Sequence, residues 1–270
     1  MKALFFCPRW GQANTTWEVF LYSVKSSGYD GIEASVPYDE KEKAEMFNRL
    51  AKYDLKLIGQ HWETVEPDFV RHCKEFELRL LHQADAKPIF INSQTGKDYY
   101  SFEQNKKLIS IANNVENKTG ITILHETHRG KFSFAAHITK QYFEKLPDLR
   151  ITLDISHWCN TAESLLQDQK EAVNLAIVRT DHIHARIGFA EGPQITDPRD
   201  PAWSDEMEFH LNCWDKIADI KKKKKLPLTI TPEFGPSPYM MSLPFTQQAV
   251  ADQWEINKYM MQLLKERYQS

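Results

Sequence analysis

The fold predicted for this chain is a single (β/α)8 barrel of the α/β class, residues 1–270, with an extended loop after the seventh strand. Three observations predict it. Eight short runs rich in Ile, Val, Leu and Phe recur roughly 30 residues apart, the length of a strand, a helix and two connections. The segments between them carry helical periodicity. A length of 270 residues fits either two ordinary domains or one such barrel, and no linker or low-complexity tract divides the chain.

In chain order the runs are ALFF (3–6), GIEASV (31–36), LKLIGQ (55–60), PIFIN (88–92), ITILHE (121–126), RITLD (150–154), HIHARI (182–187) and LTITPE (228–233). Runs of this kind, separated by helices, suit a closed parallel sheet buried on both faces. The first helical segment opens at Thr15-Thr16-Trp17-Glu18, read as a capping box, with Trp17, Phe20, Leu21 and Val24 at helical spacing. FVRHCKEFELRLL (69–81) and AVADQWEINKYMMQLL (249–264) carry similar stripes, read as core packing. The longest gap holds FAEGPQITDPRDPAWSDE, whose prolines and acidic residues suit an ordered loop. KKKKK (221–225) closes the seventh helical segment, where solvated positive charge complements a helix C-terminus.

Composition narrows the function classes. With 41% hydrophobic and 26% charged residues the chain reads as soluble and globular. A formal charge of −3 argues against a nucleic-acid surface. The N-terminal apolar run is too short for a signal peptide, and no segment approaches the roughly 18 apolar residues of a membrane helix. Cys7, Cys73, Cys159 and Cys213 are scattered, with no CxxC pair, which suits free thiols in a cytoplasmic protein.

Loops at the C-terminal ends of the strands build the active site of such a barrel, so polar residues there are the ones to collect. Strand five ends at Glu126, strand six at Asp154, strand seven at His184 and strand eight at Glu233. Side chains alternate along a strand, so these four share an inward layer above Leu124, Thr152, His182 and Thr231. Three converging carboxylates repel and are costly to desolvate. One divalent metal ion (Mn, Mg, Co or Zn) resolves that, with Glu126, Asp154, His184 and Glu233 as ligands. Around it, the substrate-binding candidates are His157, Arg186, His61, His128 and Arg129, with Trp10 and Trp62 past strand ends as sugar-stacking surfaces. His182 is expected one layer deeper as a core residue, and His125 outside the barrel.

GYDGIEA (28–34), HETHRG, LDISHW, HIHARIG and TPEFGP together resemble the xylose isomerase-like TIM barrels, the sugar phosphate isomerase/epimerase family, over nearly the whole chain. In that superfamily a Glu, Asp, His and Glu on strands five to eight hold the metal, which implies those roles for Glu126, Asp154, His184 and Glu233. The resemblance also implies that the two glutamates are catalytic and exchange the proton, that His157 touches substrate, and that the protein forms a homo-oligomer. The chain departs from the ketose 3-epimerases, with Phe132 in place of a further Glu and Ala190 in place of an Arg.

The leading expectation is an isomerase or epimerase of a sugar, sugar phosphate or sugar acid, working by proton transfer through a metal-stabilised enediolate. The alternatives are a lyase that expels water after the same proton abstraction, an endonuclease IV-like phosphodiesterase, and a sugar-binding barrel without turnover. The expected partner is a small carbohydrate, with no nucleic acid and no membrane.

Overall fold

The eight apolar runs, buried on both faces, form one closed sheet. The structure, a computed structural model, describes residues 2–269. The strands are β1 (Ala3–Pro8), β2 (Gly31–Ala34), β3 (Lys56–His61), β4 (Ile91–Ser93), β5 (Ile123–Glu126), β6 (Ile151–Leu153), β7 (Thr180–His184) and β8 (Leu228–Thr231). All are parallel and pair in sequence order, β8 returning to β1. Between and after them run α1 (Trp17–Ser27), α2 (Glu40–Tyr53), α3 (Phe69–Asp85), α4 (Phe102–Thr119), α5 (Ala136–Lys145), α6 (Ser156–Ala162), α7 (Lys170–Arg179), α8 (Ser204–Lys223) and α9 (Gln253–Tyr268).

The two faces of the sheet separate cleanly. Phe6, Ile58, Phe90 and Leu124 form a cluster of their own, with Leu4 against it, and plug the barrel interior. Burying side chains of this size contributes about 1.5–3 kcal/mol each. Positions of the opposite parity, such as Phe5, Ile32, Ile151, Ile183 and Ile230, belong to the larger core against the helices. This interior plug lies beneath the polar layer at the ends of the strands.

Several local expectations are corrected. Glu18 does not close a capping box: the N-cap of α1 is Thr16, whose side chain accepts from the Val19 amide. Glu18 instead takes Tyr53 and Lys52 at 2.6 Å each. Beyond β6, Ser156 opens the short helix α6 and carries His157 on its first turn. The lysine run closes α8, yet Lys221 is buried and ion-paired with Asp181 rather than solvated.

The long segment after β7 is ordered, as expected. Phe189 and Gly192 pair backbone to backbone, and Ile195 returns its amide to Ile187 at 2.9 Å. Gln194 then bonds Gly235 through both its amide groups, at 2.7 and 3.2 Å, tying this segment to the chain leaving β8.

Candidate functional site

Parity along the strands delivers the polar layer. Glu126, Asp154, His184 and Glu233 are all buried, and each offers a ligand atom within 4.8 Å of the others. Donors on opposite sides of one cation held at about 2.0–2.6 Å lie about 4–5 Å apart, so the set spans a single ion. The structure thus brings together all four residues expected to converge.

His184 is the pivot. Its Nε2 lies 3.0 Å from Glu33 Oε1. Glu33, on β2, also accepts from Asn92 Nδ2 at 2.9 Å and Thr231 Oγ1 at 2.6 Å, and meets His182 Nε2 at 3.2 Å. Burial works to raise the Glu33 pKa, but the charge of His184 and the bonds from both histidines outweigh it and hold the carboxyl well below its usual range. An ionised Glu33 takes a proton from Nε2, which orients the ring and turns Nδ1 toward the cluster.

Nδ1 lies 2.9 Å from Glu233 Oε2 and 3.8 Å from Glu126 Oε1, yet it is buried without a partner in hydrogen-bonding geometry. A lone pair facing two carboxylates is repulsive unless a positive charge stands among them. Burial opposes a charge on His184, while Glu233, Glu33 and Glu126 push its pKa well above the ordinary imidazole value. In the metal-free cluster the positive charge is therefore a proton, and a divalent cation would displace it.

Glu126 receives Asn92 Nδ2 at 2.8 Å and Gln94 Nε2 at 3.3 Å. Burial raises its pKa to about 8, His184 pulling it down and Glu233 and Asp154 pushing it up. Glu233 receives Gln60 Nε2 at 3.4 Å from across the barrel. Asp154 is the most committed of the four. Its Oδ1 takes the Ser156 amide at 3.1 Å and the Ser156 hydroxyl, and its Oδ2 is ion-paired with Arg186. Burial raises the Asp154 pKa against the opposing pull of Arg186.

Four buried carboxylates, Glu33, Glu126, Asp154 and Glu233, thus face one buried guanidinium. That deficit of positive charge, with the unpartnered Nδ1, is what a divalent cation fits.

Arg186, expected to reach for substrate, lines the cavity and is itself buried, with Nε on Ser156 at 3.2 Å and Nη2 shared between Asp154 and His157 Nε2, the latter at 2.8 Å. Because Arg186 can only donate, His157 Nε2 accepts, and the proton of the neutral ring sits on Nδ1, which has no partner. Burial first, then His128 and Arg186, keep His157 neutral. His128 lies tilted against His157, ring centroids 3.9 Å apart, and lines the cavity, whereas Arg129 is exposed and lies 5.0 Å over Tyr239.

His61 is not at the rim. It has the outward parity of β3, bonds Ser93 at 3.0 Å and Thr64 at 2.7 Å, and packs on Phe76. Gln60, one residue earlier, is the residue that faces the cavity. His182 and His125 lie where expected, the first on Glu33 and Thr229 inside, the second on Thr95 at 2.7 Å outside.

A cavity of about 660 Å³ opens above the cluster, lined by Glu126, Arg186 and Glu233 together with Trp10, Tyr38 and Trp62. Trp10 stands edge-on to Tyr239 at 4.9 Å and covers Gly235 so closely that an added Cβ would lie 2.0 Å from its ring. Sequence reasoning missed Glu33, Gln60, Gln94 and Tyr239. For Glu33 a signal existed, a carboxylate inside an otherwise apolar strand; for Tyr239, six residues past Glu233 in a loop, there was none.

No protein-family model matches the chain, and no curated protein matches it. Solved structures do. The 3-keto-D-glucoside 4-epimerase of E. coli superposes with a TM-score of 0.63 at 12% identity, over 98% of this chain and 100% of that one. The D-psicose 3-epimerase of Clostridium cellulolyticum H10, solved with D-tagatose, gives 0.62 at 13%, over 100% and 98%. The probable 3-DHS dehydratase of petrobactin synthesis from Bacillus anthracis gives 0.59 at 15%, over 98% and 99%. At these identities the likeness is one of fold: the chain shares the (β/α)8 barrel of these structures. Among the described residues, no helix is long and apolar enough to cross a membrane.

Proposed function

We propose that this protein is a divalent-metal-dependent isomerase or epimerase that moves a proton on a sugar or closely related hydroxy-carbonyl compound. The observation that carries the reading is the buried set Glu126, Asp154, His184 and Glu233, with His184 Nδ1 turned into it by Glu33. The cation, when bound, supplies a Lewis acid for a carbonyl and its neighbouring hydroxyl.

The chain's own groups do the rest. Glu126 and Glu233 both line the cavity, one from β5 and one just beyond β8. One removes the proton next to the carbonyl and the other returns it, from a different side for epimerisation or to the adjacent carbon for isomerisation. Asn92 and Gln94 hold Glu126, and Gln60 holds Glu233, so neither carboxylate has to reorganise during transfer. Arg186 keeps Asp154 and His157 in place.

Two of the solved neighbours are epimerases, which supports the reading. The probable dehydratase among them supports a second one, a lyase in which the same abstraction is followed by loss of water. Against a three-metal phosphodiesterase stands β4, which ends in Asn92 and Ser93, the latter bonded to His61. A cytoplasmic location and a homo-oligomer belong to the same proposal.

The test is proton NMR of sugars and sugar acids in D₂O with Mg²⁺-loaded protein. Deuterium should enter at the carbon beside the carbonyl, stop on chelation, and be lost in Glu233→Gln. Undiminished exchange in that variant would reject the role of Glu233, and loss of water from the labelled product would select the lyase.

A further inference from the structure

Deepening the homo-oligomer of that reading, we propose that the chain pairs with a second copy of itself through the hairpin after β8, the two hairpins meeting edge to edge about a two-fold axis. The hairpin is built locally. The Leu243 amide donates to the Gln248 carbonyl at 2.8 Å and the Val250 amide to the Met241 carbonyl at 3.0 Å, with Ser242 opposite Ala249. In an antiparallel pair of this kind the N–H and C=O of the two opposed residues point away from each other. Ser242 and Ala249 therefore turn their backbone groups outward, and no backbone group among the described residues takes them.

Such an edge is a template for another strand, and chains that stay single blunt it with charge or cover it. This one does neither. Residues 243–250 are all exposed. From Phe234 to Ala251 there is no charged side chain, in a chain where 26% of residues are charged. The apolar side chains agree: Phe245 at the tip is fully exposed, and Met241, Leu243 and Val250 are each roughly half exposed. Apolar groups gathered on one projection mark a contact site. Phe245 also holds left-handed backbone at φ 64°, which costs a bulky residue about 1–3 kcal/mol.

The lack of charge decides the occupant. Near a two-fold axis each residue approaches its own copy, so a charged patch repels itself and an uncharged one does not. A lipid surface is the rival for an exposed apolar tip, but such tips bind membranes with Lys or Arg beside them, and this hairpin has none. The contact is small, so the association is weak and dilution separates it. It begins two residues beyond Tyr239, which lines the cavity.

The experiment is sedimentation velocity of the full chain over a dilution series, in the wild type, in the double variant Phe245→Glu/Val250→Glu, and in Leu78→Glu, which alters an exposed residue of α3. The wild type should run as a dimer when concentrated and as a monomer on dilution. The double variant should have its dissociation constant raised by about a hundredfold or more, with an unchanged circular dichroism spectrum. Leu78→Glu should pair like the wild type. Hydrogen exchange should slow at the Ser242 or the Ala249 amide when the wild type is concentrated, and stay fast in the double variant.

A wild type that is monomeric at every concentration overturns the contact and the homo-oligomer together, and leaves the metal-dependent reaction to be judged by deuterium uptake. A dimer that survives in the double variant, or that Leu78→Glu breaks instead, overturns the hairpin contact while the homo-oligomer stands. Fast exchange of both amides in the dimer rejects the edge pairing. Sedimentation of a never-dimeric chain with phosphatidylcholine vesicles, lost in the double variant, would assign the hairpin to a lipid surface.

Discussion

The two halves of the barrel mouth are built on one backbone plan and solve opposite problems. Under β5–β8, four carboxylates and a guanidinium are buried and engaged with one another. Around β1–β3, Trp62 and Tyr38 are more than half exposed, at 53% and 57%, and the carboxylates Glu42 and Glu63 stand at the cavity edge. Glu33 is the exception that links them: it belongs to β2 but reaches across the interior to His184. The difference teaches that one half fixes its polar groups by burial and mutual contacts, while the other leaves its aromatic side chains open to solvent.

The comparison can be broken most directly at Glu233. If the β5–β8 half carries the reaction, Glu233→Gln lowers deuterium exchange by about 10²–10⁴-fold with the circular dichroism spectrum unchanged. A loss below tenfold would move the proton transfer elsewhere.

Arg186→Met comes next, because it leaves Asp154 buried without its partner. Urea denaturation of the metal-free variant should show a loss of about 3–5 kcal/mol. Added Mg²⁺ should restore part of it, since a cation at the cluster would take over the neutralisation.

Protons offer a third probe. Glu126 has a pKa raised by burial to about 8, so the folded, metal-free protein holds a proton that the unfolded chain has released above the ordinary carboxylate range. Burial lowers the pKa of His61, His125 and His210, so below about pH 6.5 the unfolded state takes up protons there that the folded state does not; between about pH 6.5 and 8 the proton on Glu126 leaves the folded state binding more, and stability falls as pH rises through that window, by about 1.4 kcal/mol per unit for one proton. His184, also raised, acts in the same direction above its ordinary value. Thermal melts of the metal-free protein should fall across this window, while metal affinity rises over it because the proton and the cation compete.

Glu33→Gln sharpens the link between the halves. Without an ionised acceptor at Nε2, His184 loses its orientation, and calorimetric metal affinity should drop by about 10–100-fold. The smallest effect belongs outside both halves. Phe245 is fully exposed at the tip of the segment after β8, so Phe245→Ser should leave stability within about 0.5 kcal/mol of the parent.

What the sequence made legible follows from the range over which each feature is set. Strand positions and the inward parity of Glu126, Asp154, His184 and Glu233 depend on alternation along a few residues, and the barrel places them as that alternation demands. Applied to β3, the same rule selects Gln60, and reading His61 as a rim residue ignored it. Glu33 obeyed the rule too, but its role depends on a partner 151 residues away. The direction of Arg186 could not be read, because local order does not say that Asp154 and His157 will occupy its guanidinium. The helical start at Ser156 was hidden for a related reason: its N-cap, Ile155, makes no side-chain cap bond.

The contact between Trp10 and Gly235 carries an evolutionary consequence. An added methyl at 235 would overlap an indole that packs edge-on to Tyr239, on a residue whose backbone carbonyl accepts from Gln253. Relatives that acquire any side chain at 235 must therefore shrink the residue at 10, and in doing so they widen the first-strand side of the chamber. Bulk at these two positions should be traded rather than varied freely, and the direction of the trade should follow the girth of what each relative admits.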